Sequence, residues 1–293
     1  MKKISLIALF AALVAVNVHA TDLVTETTHV TWTTPLHIEA AQFANAQPGQ
    51  KIVIDYTDAK EMVDAENKGS VVEFKVINAH FDHLAGSREA LRLWDNGTLE
   101  HFLTPSAVDS LKAYGLEIVG NDFTITKVAL EDGKTLKDGF TVWTGYFWAD
   151  SWSTLELYYN GYAGVDFSKA TALRIYSEAN RSDFVINIKE NWDAEGQIAD
   201  QTAMTAGEGY MELPLTDDLR NRLANAGHWM IQFNKEEGAA FNVTDVVLVG
   251  DFGPDQAVDN VDASAKTVKV MKDGQLYILK GDKIYNAQGI ELK

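Results

Sequence analysis

Leu103-Thr104-Pro105-Ser106-Ala107-Val108-Asp109-Ser110-Leu111-Lys112-Ala113-Tyr114-Gly115 returns 112 positions later as Leu215-Thr216-Asp217-Asp218-Leu219-Arg220-Asn221-Arg222-Leu223-Ala224-Asn225-Ala226-Gly227. Leu, Thr, Leu and Gly coincide. Each copy offers a Thr to cap a helical turn, apolar contacts within that turn, and a Gly to stop it. A strand should follow each: Leu116-Glu117-Ile118-Val119 and Trp229-Met230-Ile231-Gln232. Beyond these, the alternating stretch from Phe123 to Leu130 parallels Phe241 to Leu248, 118 positions on. Upstream, Trp32-Thr33-Thr34-Pro35-Leu36 parallels Trp152-Ser153-Thr154-Leu155. The offset drifts while the order holds, as expected when loops vary around one duplicated framework.

The intervening chain alternates apolar and polar residues in short runs, such as Val71 to Val76 and Phe184 to Ile188. Turn signals at Pro48-Gly49, Asn96-Gly97 and Glu195-Gly196 separate them. Many short strands with one helical turn per copy imply a sandwich. The expected fold is therefore all-β, with two tandem β-sandwich domains of the jelly-roll, galactose-binding-like kind and a short C-terminal β meander. The first domain should span 21–132 and the second 138–250, with Glu131-Asp132-Gly133-Lys134 as the link. Residues 251–266 are acidic and turn-rich and read as a tether. Residues 267–293 are punctuated by Asp273-Gly274, Gly281-Asp282 and Gln288-Gly289, which predicts three very short strands.

Lys2 and Lys3, the apolar run Ile4 to Val16, and Val18-His19-Ala20 have the three-part pattern of a secretory signal over residues 1–20. Export to the cell surface or the extracellular space is expected, with the periplasm as the alternative. The chain has no cysteine. Disulfides, thiol catalysis and a lipid-anchored lipoprotein are excluded with it. Acidic residues number 42 against 25 basic ones, two of which lie in the signal. No basic cluster offers a stripe for phosphates, so nucleic acid and anionic membranes are poor partners. An uncharged glycan fits.

Two resemblances accompany these readings. Gly281-Asp282-Lys283-Ile284-Tyr285-Asn286-Ala287-Gln288-Gly289 resembles the C-terminal sorting segments of Bacteroidetes proteins exported by the type IX secretion system. That resemblance implies the export machinery as a partner; the alternative is a terminal hairpin docked on the second domain. Trp143-Thr144-Gly145, the paired Trp32 and Trp152 segments, and Leu111 to Val128 resemble the tandem carbohydrate-binding β-sandwich modules of Bacteroidetes polysaccharide-degradation systems. The first copy lacks the opening Trp-x-Gly, and the second has His228-Trp229 where the Gly-Leu-x-Ile-x-Gly pattern would run. The resemblance implies a plant-type polysaccharide of the β-glucan, mannan or xylan class, and glycoside hydrolases acting on the same substrate as partners.

Sugar rings stack their C–H faces on exposed aromatic planes, which lose little freedom on binding. Trp148 and Trp152 sit among small polar residues and Trp192 in a polar loop of the second copy; Trp32 aligns with Trp152 and Phe81 takes the place of Trp192 in the first copy, and these five are the candidate stacking surfaces. Asp150, Asn191 and Asp193 are the candidate hydroxyl partners. Trp94, Trp143 and Trp229 lie in strand-like patterns that favour burial. No catalytic residues are assigned, because the dispersed acids suggest no deep cleft and no nucleophile motif occurs. His80-Phe81-Asp82-His83 lacks metal-ligand spacing. No cofactor is expected. Structural calcium is compatible by resemblance, with Asp166, Asp217 and Asp218 as oxygen donors and no site fixed. Two other functions remain open: a structural or adhesive surface protein without glycan binding, and a glycoside hydrolase.

Overall fold

A computed structural model describes residues 20–61, 69–87, 90–150, 152–178, 185–193, 196–203, 205–207, 209–234 and 240–252. It also describes backbone at 267–272, 275–280, 283–286 and 291–292. Residues 1–19 of the expected signal, residues 253–266 of the expected tether and Glu195 of the expected Glu195-Gly196 turn lie outside the described residues.

The chain is all-β, as expected. In order, the first half forms β1 (Thr21–Val24), β2 (Thr28–Val30), β3 (Leu36–Ile38), β4 (Lys51–Ala59), β5 (Val71–Val76), β6 (Leu91–Arg92), β7 (Asp95–Phe102), α1 (Pro105–Tyr114), β8 (Leu116–Asn121) and β9 (Phe123–Glu131). One antiparallel sheet runs β1-β9-β4-β7, with β2 also on β9, and the other runs β3-β8-β5-β6. The second half forms β10 (Phe140–Ala149), β11 (Thr154–Tyr158), β12 (Ala170–Ser177), β13 (Val185–Lys189), β14 (Gln197–Ala203), β15 (Thr205–Gly207), β16 (Tyr210–Pro214), α2 (Asp217–Asn225), β17 (His228–Asn234) and β18 (Phe241–Gly250). Its sheets run β10-β18-β12-β16-β15 and β11-β17-β13-β14.

The sandwiches follow from the alternation. In β5, Val72, Phe74 and Val76 are buried while Val71, Glu73 and Lys75 are less so. They meet Ile52 and Ile54 of β4 and Phe123 and Ile125 of β9 in one core drawn from both sheets. Leu155 and Leu157 of β11, Ile231 and Phe233 of β17, and Val243 and Val246 of β18 belong to a second, separate core. An unpaired or slipped strand would put these residues on the solvent face, so burial fixes the register.

Three expectations need correction. The helical turns are longer: α1 has ten residues and α2 nine, because the apolar spacing Ala107, Val108, Leu111 continues past the capped first turn. Thr104 Oγ1 does accept from the Ala107 amide, and Thr216 Oγ1 from that of Leu219. The matching glycines stop their helices differently. Gly115 has φ 78°, and a Cβ there would meet the Ile38 carbonyl oxygen at 2.5 Å. After α2 the stop comes from extended Ala226, and the Gly227 amide donates to Glu190 Oε1 at 3.1 Å. Asn96-Gly97 makes no turn: it lies inside β7, where the missing Cβ leaves room for the Tyr56 hydroxyl. The tail forms four strands rather than three, Thr267–Lys272, Gln275–Lys280, Lys283–Asn286 and Glu291–Leu292, in one antiparallel sheet.

The two sandwiches touch through specific side chains. His83 of the first stacks on Tyr158 of the second at 5.3 Å, and Tyr158 stacks on His228 at 4.7 Å and 4°. Lys134, expected to be an ordinary linker residue, instead inserts its ammonium beside Asp245 and over the rings of Phe102 and Tyr146.

Candidate functional site

The richest aromatic surface begins on β10. Its pairing with β18 slips between Thr144 and Phe147, a bulge of the kind that re-aims side chains at sheet edges. Beyond the bulge the alternation is clean. Phe147 and Ala149 point inward, and Tyr146 and Trp148 share the outer face with 62% and 61% of their surfaces exposed. Two residues along a strand place these rings about 7 Å apart. Trp143, one turn of the pleat earlier, is buried as expected. Its indole lies over Gly145, where a Cβ would come within 2.8 Å of the ring, so the Trp-x-Gly pattern here serves packing.

After Ala149 the chain crosses from one sheet to the other in a tight turn. Ser153 Oγ donates to the Asp150 carbonyl and accepts from the Asp150 amide, both at 2.9 Å. The turn presents Trp152, 61% exposed, with its backbone at φ 63° and its amide donating to the Phe233 carbonyl at 2.7 Å. A bulky side chain in the left-handed region is a strained outlier, costing about 1–3 kcal/mol. Trp152→Gly should leave stability unchanged or raise it by about 1 kcal/mol, because glycine relieves the strain and the lost ring packs little. Urea unfolding checks this; a loss above about 1 kcal/mol would show that the indole supports the fold. Trp32 occupies the comparable crossover between β2 and β3, and is also exposed.

Trp192 and Phe81 sit elsewhere. Trp192 lies in the turn after β13, whose last residue Lys189 pairs with Met230 near the start of β17; Trp152 bonds Phe233 near its end. Three residues of β17, about 10 Å, separate those two pairings, and the Trp192 turn lies beyond Lys189. Trp148 and Trp152 therefore lie at one end of the second sandwich, and Trp192 lies toward the other end of β17. Lys189 Nζ also lies 5.4 Å from the Trp192 ring centre. Asn191 Oδ1 accepts from the Asp193 amide at 2.9 Å, so Asn191 shapes this turn, while Asp150 and Asp193 are exposed. Phe81, with φ 57°, tops the turn after β5, where Asn78 Oδ1 accepts from the His80 and Asp82 amides. Trp229 is fully buried, as expected. Trp94 is not. It occupies the bend between β6 and β7 and is exposed, because the neighbouring Leu93 takes the inward position.

A cleft of about 560 Å³ opens beside this surface, between β10 and the edge strand β7 of the other sandwich. Trp148 and Tyr146 line one side, Glu100, His101 and Phe102 the other. The Glu100 carboxylate pairs with Lys51. His101 is 7% exposed and stacks on Phe74 at 5.1 Å. Burial pushes its pKa down to about 4 against the opposing bond to the Ala85 backbone, so it is neutral at pH 7. Tyr146 is not among the residues expected from the sequence to stack. The Tyr-Phe-Trp alternation was the available signal. His101 and Glu100 carried none, since nothing in their local pattern reveals a neighbouring sandwich.

Two of the three candidate calcium donors are engaged locally: Asp166 accepts from Ser168, and Asp217 pairs with Arg220. Among the described residues, no group of three or more His, Asp or Glu side chains is arranged to hold a metal ion.

No family model matches the chain, and no curated protein matches it. Among solved structures, it is similar at 16% identity to SGBP-B of the Bacteroides ovatus mixed-linkage glucan utilization locus, in complex with a mixed-linkage heptasaccharide. That match covers 38% of this chain and 29% of the other, with a TM-score of 0.31. A protein of Parabacteroides distasonis described as secreted matches at 9% identity over 80% of this chain and 86% of its own, with a TM-score of 0.19. Both scores are too low for a shared architecture to be read from either match.

Proposed function

We propose that this protein is a non-catalytic carbohydrate-binding protein, exported to the cell surface or beyond, that holds an uncharged plant-type polysaccharide by aromatic stacking. The observation that carries this reading is the pair Trp148 and Trp152, four residues apart at one end of the second sandwich, each with most of its indole in water. Packing supplies no reason to keep a strained tryptophan exposed, and a flat sugar face supplies the missing contact. Trp192 with Asp193, and Trp32 and Phe81, are separate surfaces that a long polymer could reach in turn, adding avidity where geometry allows.

Binding without hydrolysis is favoured by the acids. Cleavage of a glycosidic bond takes two carboxyl groups flanking it. Among the described residues lining the cleft, Glu100 is the single carboxylate, and Lys51 holds it. Hydrolases working on the same polymer, and an export machinery acting through the C-terminal strands, are the partners this reading implies.

Affinity electrophoresis through gels containing soluble β-glucan, glucomannan or xylan tests it. Retardation is expected on at least one, weakened about tenfold or more in a Trp148→Ala, Trp152→Ala double variant, the equivalent of about 1.4 kcal/mol. Free migration of the unaltered protein on all three would leave an adhesive or structural role in its place, and release of reducing sugar would restore the hydrolase.

A further inference from the structure

The cleft joins two strands that each end a sheet, β7 in the first sandwich and β10 in the second. Its volume of about 560 Å³ lies within the roughly 300–1,000 Å³ typical of small-molecule sites, which favour the boundaries between domains.

Its two walls differ in chemistry. The β10 wall is the aromatic face of Tyr146 and Trp148. The β7 wall offers acceptors. Glu100 pairs with Lys51 and leaves part of its side chain in solvent. His101 borders the cleft, and its Nε2 is buried without a hydrogen-bond partner. A neutral imidazole has one N–H, and the bond to the Ala85 backbone takes it at Nδ1, leaving a bare lone pair at Nε2. Buried polar atoms are nearly always paired, so an orphaned acceptor at the edge of a cavity points to a donor that arrives from outside.

The walls are also held apart at a fixed distance. The Lys134 ammonium sits 5.2 Å from the ring centres of both Phe102 and Tyr146, and those two rings meet edge to face at 5.7 Å. The cleft is therefore preformed, which spares a ligand the cost of ordering it. Lys134 is committed to Asp245 and to the carbonyls of Gly145 and Thr244, so its charge is not available to an anionic ligand. Acceptors facing a stacking surface suit a neutral donor-rich ring.

We propose that the cleft between β7 and β10 is a saccharide subsite built by both sandwiches, in which a neutral pyranose stacks on Tyr146 and Trp148 and donates its hydroxyls to Glu100 and His101. The proposal rests on the glycan-binding reading and adds the first sandwich to it.

Calorimetric titration of the full chain with cellohexaose, mannohexaose and xylohexaose separates the two. For whichever hexasaccharide binds, Tyr146→Ala should weaken affinity about tenfold, and Glu100→Gln and His101→Phe about threefold to tenfold each. Glu100→Gln alters a partly exposed side chain without changing its shape, so it reports on binding even if His101→Phe perturbs the core. Affinities within twofold of the unaltered protein for all three variants, with the Trp148→Ala, Trp152→Ala variant still impaired, would overturn the shared subsite and leave glycan binding standing. No binding of any hexasaccharide by the unaltered protein would overturn both.

Discussion

Replacing Lys134 with methionine should lower the unfolding free energy by about 3–5 kcal/mol, the range found when one member of a buried ion pair is removed. Asp245 is 2% exposed, and Lys134 Nζ lies 3.4 Å from its Oδ1. The remaining donor at that oxygen is the Thr144 hydroxyl at 2.8 Å. The lysine also donates to two backbone carbonyls, Gly145 at 3.1 Å and Thr244 at 2.6 Å. Methionine keeps the stem's volume and removes all of these contacts, so a carboxylate stays buried with one hydroxyl to hold it. Burial lowers the lysine's pKa while Asp245 opposes the shift, so the charged pair is a balance of desolvation and attraction. Adding Asp245→Asn should therefore recover most of the loss, because the asparagine oxygen still accepts from Thr144 and no charge remains. Urea unfolding of the two single variants and the double closes the cycle. A single-variant loss under 1 kcal/mol would mean that the pair does not hold the link in place.

Acid should weaken the fold through His101. Its folded pKa is about 4 against an ordinary value of 6.5, so the unfolded chain binds the extra proton first. The resulting stability is fully present above pH 6.5, is lost as pH falls from 6.5 toward 4, and levels off below. At 1.36 kcal/mol per pKa unit the loss by pH 4.5 is about 2–3 kcal/mol. The carboxylates with depressed pKa values, Asp122 held by Lys60 and Asp166 by Ser168, act at lower pH. His101→Phe keeps a ring against Phe74 and removes the titration. Its unfolding free energy should change by about 2–3 kcal/mol less than that of the unaltered protein between pH 7 and pH 4.5. Equal acid sensitivity in both would assign the loss to other groups.

The fold was legible where a residue's role is local. Thr104 and Thr216 announced their helices because a capping hydroxyl needs only the amides that follow it in sequence. Val72, Phe74 and Val76 announced a strand because burial alternates along it. Asn96-Gly97 misled for the same reason: its local signature is a turn, and only the Tyr56 hydroxyl across the sheet explains why glycine stands in a strand. The site divided along that line. The exposure of Trp148, Trp152 and Trp192 followed from their polar surroundings, and that of Trp32 and Phe81 from their places in the repeat. Their grouping did not, because it depends on which ends of β17 the turns fall at. Lys134 read as part of a linker because Asp245 lies in the other half of the chain, and His101 carried no signal because Phe74 and Ala85 are distant in sequence.

The glycan-stacking account meets its most direct test in the tryptophan side chains themselves. The chain has seven, each with an indole N–H visible by NMR once assigned by single substitution. Titration with cellohexaose, mannohexaose and xylohexaose should shift the Trp148 and Trp152 signals with at least one sugar. The Trp229 signal, whose N–H donates to the Leu223 carbonyl at 2.9 Å inside the core, should stay fixed. If Trp148 and Trp152 stay as still as Trp229 with every sugar, their indoles do not receive a pyranose and the account is wrong.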